Sequence, residues 1–119
     1  MAKENLIVAK TFKFSLTIIE LYKFLIENKE FVLSKQILRS GTSIGANVEE
    51  AIGAISKREF TAKMGISLKE ARETRYWLKL LDTSQLKEKN YNNELKEIEE
   101  IINILTAIVK TSQGNIKNL

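Results

Sequence analysis

Four stretches of this chain place apolar side chains at the three- and four-residue spacing of one helix face, and no proline interrupts any of them. Proline fixes φ and removes a backbone donor, so it commonly marks where a helix must stop. With no proline and only five glycines in 119 residues, the signals that bound short strands are nearly absent, and long helices follow. The length suits one domain, 1–119, built around one hydrophobic core. Hydrophobic residues at 44% and charged residues at 29% argue against disorder, collagen-like repeats and a membrane protein.

The chain has neither cysteine nor histidine. That removes thiol nucleophiles, disulfides, the usual zinc ligand sets and imidazole acid–base catalysis together. No catalytic residue, metal site or cofactor is expected. No run approaches the roughly 18 to 20 apolar residues that span a bilayer, and Lys10 breaks the N-terminal segment before it could serve as a signal-peptide core. The expectation is a cytoplasmic protein with no membrane partner.

The periodicity predicts helices over about 5–28, 33–54, 57–82 and 90–112. In the first, Ile7, Thr11, Phe14, Ile18, Leu21 and Leu25 share one side. Val8, Phe12, Ile19, Tyr22 and Ile26 are candidate oligomer-interface residues, because the apolar arc they widen exceeds the roughly 100° stripe one core requires. A broad arc can also pack against two helices of the same bundle. The second helix carries a stripe of Leu33, Ile37, Ile44, Val48, Ala51 and Ile55, with Ser40, Gly41, Ser43, Gly45 and Ala46 allowing a neighbouring backbone to come close. Ser56-Lys57-Arg58-Glu59 has the form of a capping box, so the third helix begins there. Its core is expected at Phe60, Met64, Ala71 and Leu78, with Ser67 and Thr74 beside them. The fourth helix carries Leu95, Ile98, Ile101, Ile102, Leu105, Ile108 and Val109, and Gly114 is expected to close it. The fold class is therefore all-α, an antiparallel up-down-up-down four-helix bundle.

The net charge of +4 is a weak signal by itself. Its whole excess lies in residues 56–80, where Lys57, Arg58, Lys63, Lys69, Arg72, Arg75 and Lys79 face only Glu59, Glu70 and Glu73. The seven form no single stripe, although Arg72, Arg75 and Lys79 lie near one another with Lys69 adjoining. With Arg39 they are candidate nucleic-acid contacts, acting through charge-assisted bonds and counterion release. The alternative is a solvated helix face of mixed charge. Tyr22, Tyr76, Trp77 and Tyr91 are candidate base-stacking residues, but helical spacing favours packing, and Tyr76 alone points away from the main stripe.

Arg39, Ser43, Asn47 and Glu50 fall at spacings that make a polar row along the second helix. With Gln36, Ser67 and Glu70 they form a candidate structural network that pairs across to the third helix and fixes bundle register. A facing Glu50 and Glu70 pair is the sharper alternative, but carboxylate bundles that bind two metals use a Glu-x-x-His pattern and this chain has no histidine.

The segments QILRSGTSIGANVEEA and SKREFTAKMGISLKEARETRYWLKLL resemble the four-helix bundle family first associated with intervening sequences in bacterial large-subunit (23S) ribosomal RNA genes. The likeness covers about residues 6 to 113 and falls on Gln36, Arg39, Ser43, Asn47 and Glu50 in one helix and Phe60, Ser67, Leu68 and Glu70 in the next. It implies short bundles assembled into closed homopentamers. A relative in that family is an accessory factor of diversity-generating retroelements, where basic surfaces meet nucleic acid. No enzyme activity comes with the likeness. The chain departs from many members after Glu50, where Ala51-Ile52-Gly53-Ala54-Ile55 replaces a glycine followed by basic residues. The resulting expectation is a non-enzymatic homo-oligomer that binds structured RNA or DNA, with a structural or protein-interaction module as the alternative.

Overall fold

Helices form where the apolar spacing predicts them, and particular hydrogen bonds set their ends. The computed structural model describes residues 3–117, with α1 at Lys3–Glu27, α2 at Leu33–Ile52, α3 at Lys57–Ser84 and α4 at Asn92–Lys117. α1 closes on Lys29, whose φ of 64° is left-handed. The Lys29 and Glu30 amides then donate to Ile26 and Leu25 carbonyls at 3.0 and 2.8 Å, the bond pair that usually ends on glycine. Glu30 is buried, and its carboxylate accepts the amides of Val32, Leu33 and Ser34 at 2.9, 3.2 and 2.9 Å. Helical carbonyls cannot satisfy these donors, and the negative charge suits the positive end of α2.

α2 stops at Ile52, two residues before its expected end, and Ile55 is 96% exposed in the connection rather than on the core stripe. Loss of helical phase after Gly53 carries it outward. The capping box is formed: the Ser56 hydroxyl accepts the Glu59 amide at 3.0 Å, and the Glu59 carboxylate accepts the Ile55 amide at 3.1 Å. α3 ends on Gln85 with φ 49°. Beyond it Tyr91 is fully buried and its hydroxyl donates to the Lys87 carbonyl at 2.8 Å. Burial raises the Tyr91 pKa, with Glu94 and Asp82 adding to the shift.

α4 starts at Asn92 rather than Asn90, whose side-chain oxygen accepts the Asn92 amide at 2.9 Å. It passes through Gly114 to Lys117, so the expected stop at 112 is corrected. Gly114 has no positive φ, and Ser112, buried just before it, pairs with the Thr61 hydroxyl of α3. That tie and ordinary helical geometry carry the helix past a residue that costs only about 1 kcal/mol in a helix interior.

Each helix packs on its neighbours in the chain and α1 also meets α4, giving extents of 51 × 24 × 21 Å. In each pair that follows, residue numbers rise on one helix as they fall on the other. Gly41 and Gly45 approach Ile18 and Thr11. Ser40, Ile44 and Glu50 meet Thr74, Ser67 and Lys63. Thr61 and Arg75 meet Ser112 and Glu99. The expected α1 stripe is buried throughout, including Thr11, and Ser67 and Thr74 lie fully inside the α3 stripe rather than beside it.

Candidate nucleic-acid interface

Burial of Met64, Ala71 and Leu78 decides which side of α3 faces the core and leaves the opposite side to solvent. The structure sorts the candidate cations into two groups. Arg39 reaches from α2 to Glu70 at 3.1 Å and to Glu73; Lys63 meets Glu50 at 3.0 Å; Arg75 turns to Glu99 of α4 at 3.0 Å. Lys57, Arg58, Lys69, Arg72 and Lys79 are exposed, and none has a carboxylate within salt-bridge reach among the described residues. At 100° per residue these five fall within an arc of about 120°, and Glu59, Glu70 and Glu73 lie outside it. The arc extends about 33 Å along the helix at 1.5 Å per residue. Arg75 lies at the same angle as Lys57, so six of the seven α3 cations share the arc and only Lys63 falls outside it, while Arg75 is drawn to Glu99.

Arg39 is engaged on both arms of its guanidinium. Its pKa is raised, first by the bond to Glu73 and also by Glu70. The Glu73 carboxyl lies below its ordinary value, first because the Trp77 indole N–H donates to it at 3.0 Å, then through Arg39, with Lys69 adding to the effect. The pair and the indole form one chain of contacts from α2 to the outer side of α3.

The expected polar row pairs across to α3 only at Arg39, which meets Glu70, and at Glu50, which meets Lys63. Ser43 donates to the Arg39 carbonyl at 2.6 Å and Asn47 to the Ser43 carbonyl at 2.9 Å, both within α2. Gln36 and Glu50 are exposed, and Glu50 and Glu70 bind different cations rather than each other. The row runs along the rim of the α2–α3 seam, where water competes for these groups. Inside the seam, Ser67 donates to the Ile44 carbonyl at 2.8 Å, and the Ser40 and Thr74 hydroxyls pair at 2.8 Å. Ser40, buried in this seam, lies outside the expected network, although its place between Ile37 and Ile44 on the α2 stripe marks it as inward.

The wide arc of α1 divides. Val8, Tyr22 and Ile26 are half-buried, while Phe12 and Ile19 are exposed. Val8, Phe12, Ser15 and Ile19 join Thr42, Gly45, Ala46 and Glu49 of α2 around a mainly apolar groove of about 850 Å³. Among the described residues no helix is long and apolar enough to cross a membrane.

Residues 3–107 match the family described as 23S rRNA-intervening sequence protein. A crystal structure of a protein with unknown function from the S23 ribosomal protein family of Bacteroides thetaiotaomicron VPI-5482 is 49% identical, with 92% of this chain and 99% of that one covered and a TM-score of 0.85. No match is found among curated proteins.

Proposed function

Given that the chain belongs to the 23S rRNA-intervening sequence protein family, we propose that it is a non-enzymatic, antiparallel up-down-up-down bundle that closes into a homo-oligomer and binds structured RNA or other nucleic acid through the outer side of α3. The observation that carries this reading is the set of five cations on one side of α3 that have no carboxylate partner among the described residues, with Glu70 and Glu73 turned to Arg39. Phosphate binding there works by charge neutralisation and release of condensed counterions. Opposite-running residue registers support the bundle topology, and the groove beside exposed Phe12 supports self-association. In a closed ring of five, the number implied by the family resemblance, the basic face is repeated and weak contacts add. A sequence without histidine or cysteine supports binding rather than catalysis. The same apolar groove favours a second reading, a module that docks another protein.

Light scattering and binding to a mixed RNA and DNA pool across a salt series test these readings. Arg72→Glu/Lys79→Glu is the informative variant, because reversal at Arg75 would also break its Glu99 pair. The expected result is a particle several times the 13.6 kDa chain that binds less tightly as salt rises and loses binding on charge reversal. Phe12→Glu is expected to shift the mass towards monomer. A monomeric wild type refutes the ring, and a ring that binds neither pool refutes the nucleic-acid role in favour of a protein partner.

A further inference from the structure

Tyr76 lies four residues after Arg72 and three before Lys79, spacings that put all three side chains on one side of α3. It is 58% exposed, whereas buried Tyr91 and half-buried Trp77 are the packed aromatics of this part of the fold. Its ring meets that of Trp77 edge-on, with centroids 5.2 Å apart and planes at 67°. Trp77 is itself held by its indole N–H on Glu73 at 3.0 Å, and Glu73 is tied to Arg39 of α2. The phenol ring is therefore backed by an anchored neighbour and flanked by two cations that no carboxylate among the described residues engages.

Phosphates alone need only the cations, and a continuous duplex hides its base faces in its own stack. An unpaired base has a face free to rest on an aromatic ring, and such stacking tolerates any base. Resting on the nucleic-acid reading of α3, we infer that Tyr76 stacks an unpaired base while Arg72 and Lys79 hold the phosphates to either side. The ligand class is then single-stranded or looped nucleic acid, or a duplex with an unpaired extension, in preference to blunt duplex.

The test uses the full chain, a blunt RNA duplex and the same duplex carrying a single-stranded extension, with binding followed by fluorescence anisotropy across a salt series. Wild type is expected to prefer the extended probe. Tyr76→Ala is expected to weaken binding of that probe by about 10-fold. It is expected to leave blunt-duplex affinity and the salt slope unchanged, because no phosphate contact is lost. Tyr76→Phe keeps the ring and is expected to bind as wild type. Equal affinity of Tyr76→Ala and wild type for the extended probe overturns the stacking role, as does an equal loss on both probes. Wild type that binds neither probe overturns the nucleic-acid reading itself, a result distinct from both.

Discussion

Towards α1, α2 presents Gly41 and Gly45, where an added methyl would come within 2.7 Å of Ile18 Cγ1 and 3.3 Å of the Thr11 carbonyl oxygen. Towards α3, it presents the Ser40 hydroxyl and the Ile44 carbonyl, which pair with Thr74 and Ser67. One seam works by leaving out side-chain volume and the other by placing polar groups opposite one another. Close apolar packing fixes distance, but a hydrogen bond between named groups also fixes axial position. The two seams border different outer surfaces. The glycine seam opens into the groove beside Phe12, and the polar seam ends at the Arg39, Glu70 and Glu73 cluster next to the basic face.

The most severe test of this contrast is Gly41→Ala. Ile18 is fully buried and β-branched, so its clashing carbons cannot swing aside as the tip of a flexible chain could. Overpacking of this kind costs about 1 to 3 kcal/mol, and the better helix propensity of alanine offsets part of it. A net loss of about 1.5 kcal/mol in urea melts is expected. A neutral result would show that α1 shifts freely along this seam, and the contrast with α3 would fail.

Much of this architecture is legible in the sequence. Ile7, Phe14, Ile18, Leu21 and Leu25 announce the inner face of α1 by spacing alone, and Ser56 with Glu59 announces the start of α3. The Glu30 cap was not legible, since its reach to three α2 amides depends on the left-handed turn at Lys29, which no glycine marks. The candidate site divides in the same way. The basic segment of α3 is plain in the sequence, but which of its cations are paired depends on Glu50 and Glu99 from other helices. Those partners are set by tertiary placement, which helical spacing within α3 does not encode.

Ser67→Ala tests the polar seam from its buried side. The lost bond to Ile44 is worth about 1 kcal/mol, typical of a net intramolecular hydrogen bond. Thermal melts should show that loss, and the absence of any loss would mean that the α2–α3 seam is held by apolar contact alone. Gly65→Ala is expected to act in the opposite direction, because an added Cβ there meets nothing within 4 Å. Removing a flexible residue from a helix interior should stabilise the chain by about 0.5 to 1 kcal/mol. Destabilisation at Gly65 would reveal close packing on the outer side of α3, as expected if another copy or ligand covers it.

The smallest expected effect comes from Glu73→Gln, on the rim of the polar seam. Glu73 titrates below its ordinary value of 4.5, held there first by the Trp77 N–H and then by Arg39, with Lys69 nearby. Glu70 shares the Arg39 guanidinium. A carboxyl whose pKa is depressed on folding adds stability above its unfolded pKa and loses it as pH falls through the folded value. Arg39 stays charged throughout, its own pKa being raised. The substitution should therefore cost about 0.5 kcal/mol near neutral pH, as partly exposed ion pairs do. That difference should shrink as pH drops below the usual carboxylate range, because wild-type Glu73 then becomes neutral as well. Urea melts of both proteins across an acid series would show this convergence. A constant gap would locate the effect in the shape of the side chain rather than its charge. A loss as large as that of Ser67→Ala would mean that the rim of the seam holds the register of α3, and so the direction in which its cations and Tyr76 face, as strongly as the buried hydroxyls do.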